Sequence, residues 1–463
     1  MKRAWSAPSA LMAVVAACAF GPSGCASGGA MRAAEAGDYA ALKSSLDGLG
    51  DVDLDDAQDI ATRVLEREVE TAQGDAGKRG LHALGGCGKR VAGSMDRRSQ
   101  RDDELAAFVA RLRLELGLAP PLAYAERVDD EAPHWRAAAA RSMSVPAPEA
   151  TGDRRRDDRV RAGIWRRKLM LDPSGEVRIA ALRAAVDAAD PEDLPAVLEA
   201  ARLDPEREAR LMAIQAAGGI ATKRAVLALK DLWPRSDEPV KMAIVGAWAA
   251  AARKPGASGP LRCTSEDAHP RCLALGQLQR ISDLSDGMPS LVASLELLHD
   301  TTSEQAATAQ GNAAAVVERM VDGASTRVRI EAILSAPLSW ARLVEAIVDA
   351  SKAHEDRVAA AAYSRMTSLG GAEREAAVVA LRELAAGDGL AADAAKQALV
   401  DAADPQVVPL LASDIASKSS TQRASTAERY AKLGEVKQAL GFVADRDVVV
   451  RARAACAILA MDD

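Results

Sequence analysis

Apolar residues recur at spacings of three and four along much of the chain, most clearly at Val177, Ala180, Ala181, Ala184, Ala185 and Ala188. That spacing puts them on one face of a helix. The series returns at Ala209, Met212, Ala213, Ala216, Ala217 and Ile220, and again at Val240, Ala243, Ile244, Ala247, Trp248 and Ala251, intervals of 32 and then 31 residues. Counting back 42 residues finds it at Trp135, Ala138, Ala139, Ser142 and Met143, with Asp130 standing where Asp172 stands. The extra length fits an insertion in "PAPEATGDRRRDD". Each series has a start signal: Asp172 is expected to cap its helix and Pro173 to occupy the first helical position, and Asp204-Pro205 repeats both. Shorter helices are expected between them, in "DPEDLPAVLEAA" (190–201), "TKRAVLALKDLW" (222–233) and "DPQVVPLLASDI" (404–415). Proline is tolerated only in a first turn, so Pro195 and Pro409 move the starts of two of these to near Asp193 and Val407. One such helical hairpin cannot bury its apolar face alone, and repetition at this period predicts a stack of them.

Composition sharpens this to an all-α chain. Aromatic residues are 3% of 463, and alanine dominates the apolar share, which favours close packing of helices. The pattern D-P-x-x-x-[VA]-R-x-x-A-x-x-A followed by D-P-x-x-x-P-x-[VL]-L resembles the HEAT family, specifically the short HEAT-like repeats of phycobilin lyases. It is strong over residues 130–252 and recurs in "TRVRIEAIL" (326–334), "EDRVAAAAYSRM" (355–366) and "DRDVVVRARAACAILA" (445–460). Arg329, Ala359, Ala392, Arg423 and Arg451 then stand where Arg178 stands. The resemblance implies an α-solenoid of about ten to thirteen hairpins that presents an extended surface to another protein. It also implies that the second helices line that surface, with Glu199, Arg202, Lys223 and Lys230 as contacts. The repeated cations Arg178, Arg210, Lys241, Arg329 and Arg451 invite an anion-binding reading, but in such folds they resemble structural partners of carboxylates such as Asp172 and Asp204.

The N-terminus reads as a targeting segment. Lys2 and Arg3 precede the apolar stretch Ala10 to Phe20, which is too short for a bilayer that needs about 20 residues. "GPSGCASGGA" resembles a bacterial lipobox, with Ser23 and Gly24 before Cys25, although Pro22 stands where leucine is usual. The expected organisation is a signal peptide (1–24), a tether lipidated at Cys25 (25–34), and a helical region of degenerate repeats or a cap (35–130). HEAT-like repeats (131–252), an insertion (253–285) and more divergent repeats (286–463) follow. This places the chain at the outer membrane, lipid-anchored and facing the periplasm; cleavage near Ala19 or Ala30 would instead give a soluble secreted protein. The net charge of −7 becomes −9 after cleavage before Cys25, from 57 basic and 66 acidic residues.

Little in the chain points to catalysis. The five histidines form no i, i+4 pair, and no G-x-S-x-G elbow, phosphate loop or dinucleotide fingerprint occurs. Cys263 and Cys272 bracket "CTSEDAHPRC" and are expected to form a local disulfide; a metal site of Cys263, His269 and Cys272 with Glu266 or Asp267 is the alternative. Cys87 and Cys456 read as small buried apolar residues. The basic run Asp153 to Leu171 reads as a solvated helix face, with an acidic partner or anionic lipid as the other readings. The expectation is a non-enzymatic envelope scaffold with a protein partner, no nucleic acid and no cofactor. The alternatives are a lipid or glycan carrier with a groove near Cys263–Cys272, and a bilin lyase-like or metal-dependent enzyme.

Overall fold

The periodic segments all become helix: among the described residues there are 25 α-helices and no strand. The computed structural model describes residues 23–145, 153–254, 263, 269–284, 286–299 and 306–461. They fall into two units, one of Asp102–Leu410 and one that combines the chain up to Arg101 with Leu411 onward. This division differs from the segments expected from sequence, because the N-terminal helices pack with the C-terminal ones.

In the Asp102–Leu410 unit, hairpin I pairs Pro133–Ser142 with Asp153–Leu169, hairpin II pairs Gly175–Ala188 with Leu194–Leu203, and hairpin III pairs Arg207–Ile220 with Lys223–Leu232. Glu238–Arg253 opens the next hairpin, and the first helices stack in chain order, as in an α-solenoid. The apolar series meet in one continuous core: Val177, Ala181 and Ala185 pack with Ala213, Ala217, Ile244 and Trp248. Small side chains set the approach. A Cβ on Gly218 would lie 2.5 Å from the Ala247 backbone, so no larger residue fits there without moving a helix.

The Asp-Pro signals work differently from the expected caps. The helix after Asp172 begins at Gly175 with Ser174 at its N-cap, and the Asp172 carboxylate accepts the Ser174 N–H at 2.8 Å, bending the turn. Its remaining capacity goes to Arg136 of hairpin I, whose Nε and Nη2 donate at 2.8 and 3.0 Å. Asp204 repeats this with the Glu206 N–H at 2.9 Å and Arg178 at 2.8 and 3.0 Å. A two-pronged guanidinium bond is stronger than one neutral N–H, so the carboxylate serves the neighbouring hairpin rather than its own helix. Burial alone would raise both carboxyl pKa values; the guanidinium and turn N–H bonds outweigh it and hold them below the usual range.

A second set of pairs joins second helices to the turn of the next hairpin. Asp190 and Asp404 each bend their turn, accepting Glu192 N–H at 3.1 Å and Gln406 N–H at 3.3 Å. Arg159 binds Asp190 at 3.2 and 3.4 Å, and Arg382 binds Asp404 at 2.7 Å through both nitrogens. After each comes a single 3-10 turn, Pro191–Asp193 or Pro405–Val407, and the α-helix starts at Leu194 or Val408, as the internal prolines require.

The basic run is consequently solvated on one side only: Arg156, Arg161 and Lys168 are exposed, and Arg159, Arg166 and Arg167 turn inward. Arg166 is fully buried, paired with the equally buried Asp193 and donating to the Met143 carbonyl at 2.7 Å. Arg159 and Arg167 bind Asp190 and Asp193, and Lys168 binds Asp129. The sequence shows the charges but not their partners: those of Arg159, Arg166 and Arg167 come from the next turn, 26 to 31 residues on, and that of Lys168 lies 39 residues back.

In the other unit, Val448–Leu459 stacks on Leu54–Thr71 as well as on Ser420–Lys432. The Arg–carboxylate pairing persists, with Arg423 on Asp445 at 2.7 and 2.9 Å and Arg451 on Glu68 at 2.6 Å. Cys87 and Cys456 form a disulfide across 369 residues of sequence, with Cα atoms 5.5 Å apart, which corrects their reading as separate apolar residues. Nothing in either sequence context announces the other. Residues 25–34, expected as a tether, lie in the helix Ser23–Ala36, which packs on Leu54–Thr71 and buries Ala30, Ala33 and Ala34.

Candidate functional site

The second helices of hairpins II and III bury one face and leave the other to solvent. In Leu194–Leu203, Pro195 sits in the first turn, Leu194, Val197, Leu198 and Ala201 are buried, and Glu199, Arg202 and Leu203 face outward. In Lys223–Leu232, Thr222 caps the start by accepting the Ala225 N–H at 3.2 Å. Ala225, Val226, Ala228 and Leu229 are buried, and Lys223, Arg224, Leu227, Lys230 and Asp231 are exposed. The helix is pinned from beneath by Trp248, which is fully buried and donates to the Val226 carbonyl at 3.4 Å.

Two depressions flank this pair. One, of about 700 Å³, is lined by Glu199, Arg202, Leu203, Lys223, Arg224 and Leu227 among others. The second, of about 680 Å³, shares Arg202, Leu203 and Asp231 with it and adds Arg210, Arg235 and Ser236. Glu199, Arg202 and Lys223, named from sequence, therefore meet in one groove; Lys230 is exposed on the same helix but lines neither depression.

Charge and apolar surface here differ from the surroundings. Arg202, Lys223, Arg224, Lys230 and Arg235 are exposed, and none has an ion-pair partner among the described residues. Leu203 is 74% exposed at the junction of the depressions, Leu171 is 73% exposed one hairpin earlier, and Leu227, Val160 and Ile164 are exposed as well. Arg224, Leu203, Leu227 and Arg210 were not singled out as contacts from sequence. The signal for Arg210 was present: the Asp-Pro that precedes hairpins II and III is absent before Glu238–Arg253.

No group of ligands suited to a metal ion is found among the described residues. Cys263 and Cys272 are joined in a disulfide with Cα atoms 5.2 Å apart; Glu266 and Asp267 lie outside the described residues. No described helix is long and apolar enough to cross a membrane.

Residues 165–249, which span hairpins II and III, match the family model of HEAT repeats. Over those residues the chain is similar to HEAT repeats. No curated protein matches. A crystal structure of an engineered protein from a structural genomics consortium is similar over 80% of this chain and 99% of its own, at 17% identity and a TM-score of 0.30.

Proposed function

We propose that this HEAT-like repeat chain is a non-enzymatic protein-binding scaffold or assembly factor of the cell envelope, docking its partner on the second helices of hairpins II and III. HEAT repeats generally serve as protein-interaction scaffolds. The observation that carries the reading here is the set of exposed cations and leucines around two joined depressions, groups that no internal contact uses. Contiguous exposed apolar surface rimmed by charge is the physical mark of an interaction site.

The envelope part rests on the leader and lipobox, and two disulfides support it, since such bonds persist in oxidising compartments. They account for four of six cysteines and leave Cys18 in the leader and Cys25 at the lipobox. Lipid at Cys25 would hold the protein at the outer membrane, facing the periplasm. Crosslinking in gently solubilised native envelope, capture and mass spectrometry tests the scaffold: a reproducible, near-stoichiometric protein partner is expected. Palmitate incorporation that persists in Cys25→Ser would remove the lipid anchor from the reading.

The carrier reading keeps one observation, a groove of about 1010 Å³ in the unit containing both chain ends, lined by Tyr39, Ile415 and Phe442 with Lys43, Lys437 and Arg446. Native mass spectrometry showing a bound lipid or glycan, with no protein partner captured, would favour it.

A further inference from the structure

We propose that the partner docks as an acidic amphipathic helix and that one of its carboxylates completes the arginine series at Arg210. This rests on the docking face just described and names what fills it.

The three arginines are built alike. Arg136, Arg178 and Arg210 each turn one nitrogen to the carbonyls of their own preceding turn, at 2.9 and 2.9 Å, 3.0 and 3.1 Å, and 2.7 and 3.2 Å respectively. Arg136 and Arg178 present their other edge to Asp172 and Asp204 of the next hairpin. Arg210 meets no carboxylate there. Arg235, Ser236 and Asp237 replace the Asp-Pro turn; Asp237 accepts the Val240 N–H as an N-cap and pairs with Arg207 at 3.2 Å. Arg210 therefore lines the second depression beside Arg202 and Arg235, with a guanidinium edge of the kind that its two counterparts give to aspartate. A planar fork at this position selects a carboxylate in two-pronged geometry.

The rest of the face specifies what carries that carboxylate. Lys223 and Arg224 extend the positive charge, while the exposed Leu203 and Leu227 lie between the cations and supply apolar contacts. Glu199 and Asp231 interrupt the field, which suits a peptide with spaced acids better than a continuous phosphate surface. Stacked helices lie about 8–10 Å apart, and a helix rises about 1.5 Å per residue, so partner positions about seven residues apart span one hairpin. Leucines in such a heptad register would rest on either side of Leu203.

The probe is a fluorescein-labelled peptide of three heptads, Leu-Glu-Ala-Leu-Glu-Ala-Glu, titrated into the full chain and followed by anisotropy. Replacing every Glu by Gln, or every Leu by Ser, should weaken binding about tenfold or more. Arg202→Glu with Arg224→Glu should do the same at unchanged melting temperature. Arg210→Lys should weaken it severalfold, whereas Arg178→Lys, a comparable change at an internally paired arginine, should not. Equal affinity of the Gln peptide, or of the Arg202→Glu/Arg224→Glu protein, would overturn the proposal. So would phosphatidylglycerol vesicles binding in place of the peptide with the same dependence on Arg210. If native-envelope crosslinking captures a stoichiometric partner equally with all variants, the scaffold reading survives and this face does not; if it captures none, both fall.

Discussion

Hairpins I to III and the helices Thr326–Ser335 and Asp356–Met366 stack in the same way, yet they treat their arginines differently. In the first region Arg136 and Arg178 are clamped by carboxylates of the next hairpin. In the second, Arg329 donates to the Val321 carbonyl at 2.9 Å and Arg365 to the Ala336 carbonyl at 2.6 Å, both at ends of helices, and neither meets a carboxylate among the described residues. Both regions share the same alanine and aliphatic core. The difference shows that apolar packing is sufficient to stack the hairpins, and that the ion pairs add register where two charges are taken out of water together. It also explains why the repeat motif is easiest to see where the pairs are complete.

The largest expected effect lies in the buried pair at the start of the regular region. Asp193→Ala removes the nearest carboxylate from the fully buried Arg166, leaving Asp190 at 3.6 Å to balance its charge across a cavity, and should destabilise by about 3 kcal/mol. Loss of amide-exchange protection across hairpins I and II, with Thr326–Ala385 unchanged, is the expected signature; a loss under about 1 kcal/mol would mean that water reaches Arg166. Asp204→Ala, which strands the 11%-exposed Arg178 side chain, should cost about 1.5–3 kcal/mol. Arg329→Ala should stay within about 1 kcal/mol, since it removes a carbonyl contact and leaves no charge unpaired. Comparable losses in thermal melts of these two variants would erase the distinction between the regions.

Acid should separate the regions too. Asp172 and Asp204 have folded pKa values below their unfolded ones, so their stabilisation is complete above the unfolded pKa of about 4 and disappears as pH falls through the folded values. Hairpins I to III should therefore lose exchange protection below about pH 4 by a larger factor than the segment around Arg329 and Arg365. Equal losses would assign acid sensitivity to net charge instead of to the pairs.

Much of the architecture was legible in the sequence because alanine periodicity and internal prolines act locally. Pro195 and Pro409 located two helix starts within a residue or so of Leu194 and Val408. What escaped was whatever depends on two distant segments. Arg166 read as a surface charge because Asp193 belongs to the next turn, and Cys87 read as a small apolar residue because Cys456 lies at the far end of the chain. Asp172 was read as a cap because its own helix is the only partner visible locally, whereas Arg136 outcompetes that helix for it. At the docking face the exposed charges of the second helices could be named, since their helical phase follows from the buried stripe. For Arg210 the missing Asp-Pro before Glu238–Arg253 is visible in the sequence, but what it means shows only once the carboxylates held by its two counterparts are seen.

The smallest effect concerns how first helices end. Gly175–Ala188 and Arg207–Ile220 are followed by Ala189 and Ala221 at φ of 48° and 54°, a left-handed conformation that brings the Cβ of an L-residue against the following carbonyl. Thr326–Ser335 ends instead at Ala336 with φ of −61°, where a Cβ costs nothing. Ala189→Gly and Ala221→Gly relieve the folded state but widen the unfolded ensemble; the relief is the larger, so each should raise stability by about 0.5 kcal/mol. Ala336→Gly brings no relief, widens the unfolded ensemble and removes a fully buried methyl group, so it should lower stability by about 1 kcal/mol. Chemical denaturation of the three variants tests for opposite signs. A stabilised Ala336→Gly would mean that Ala336 is strained by packing, and a destabilised Ala221→Gly would mean that its methyl group, which is 9% exposed, contributes more to the core than the backbone conformation costs.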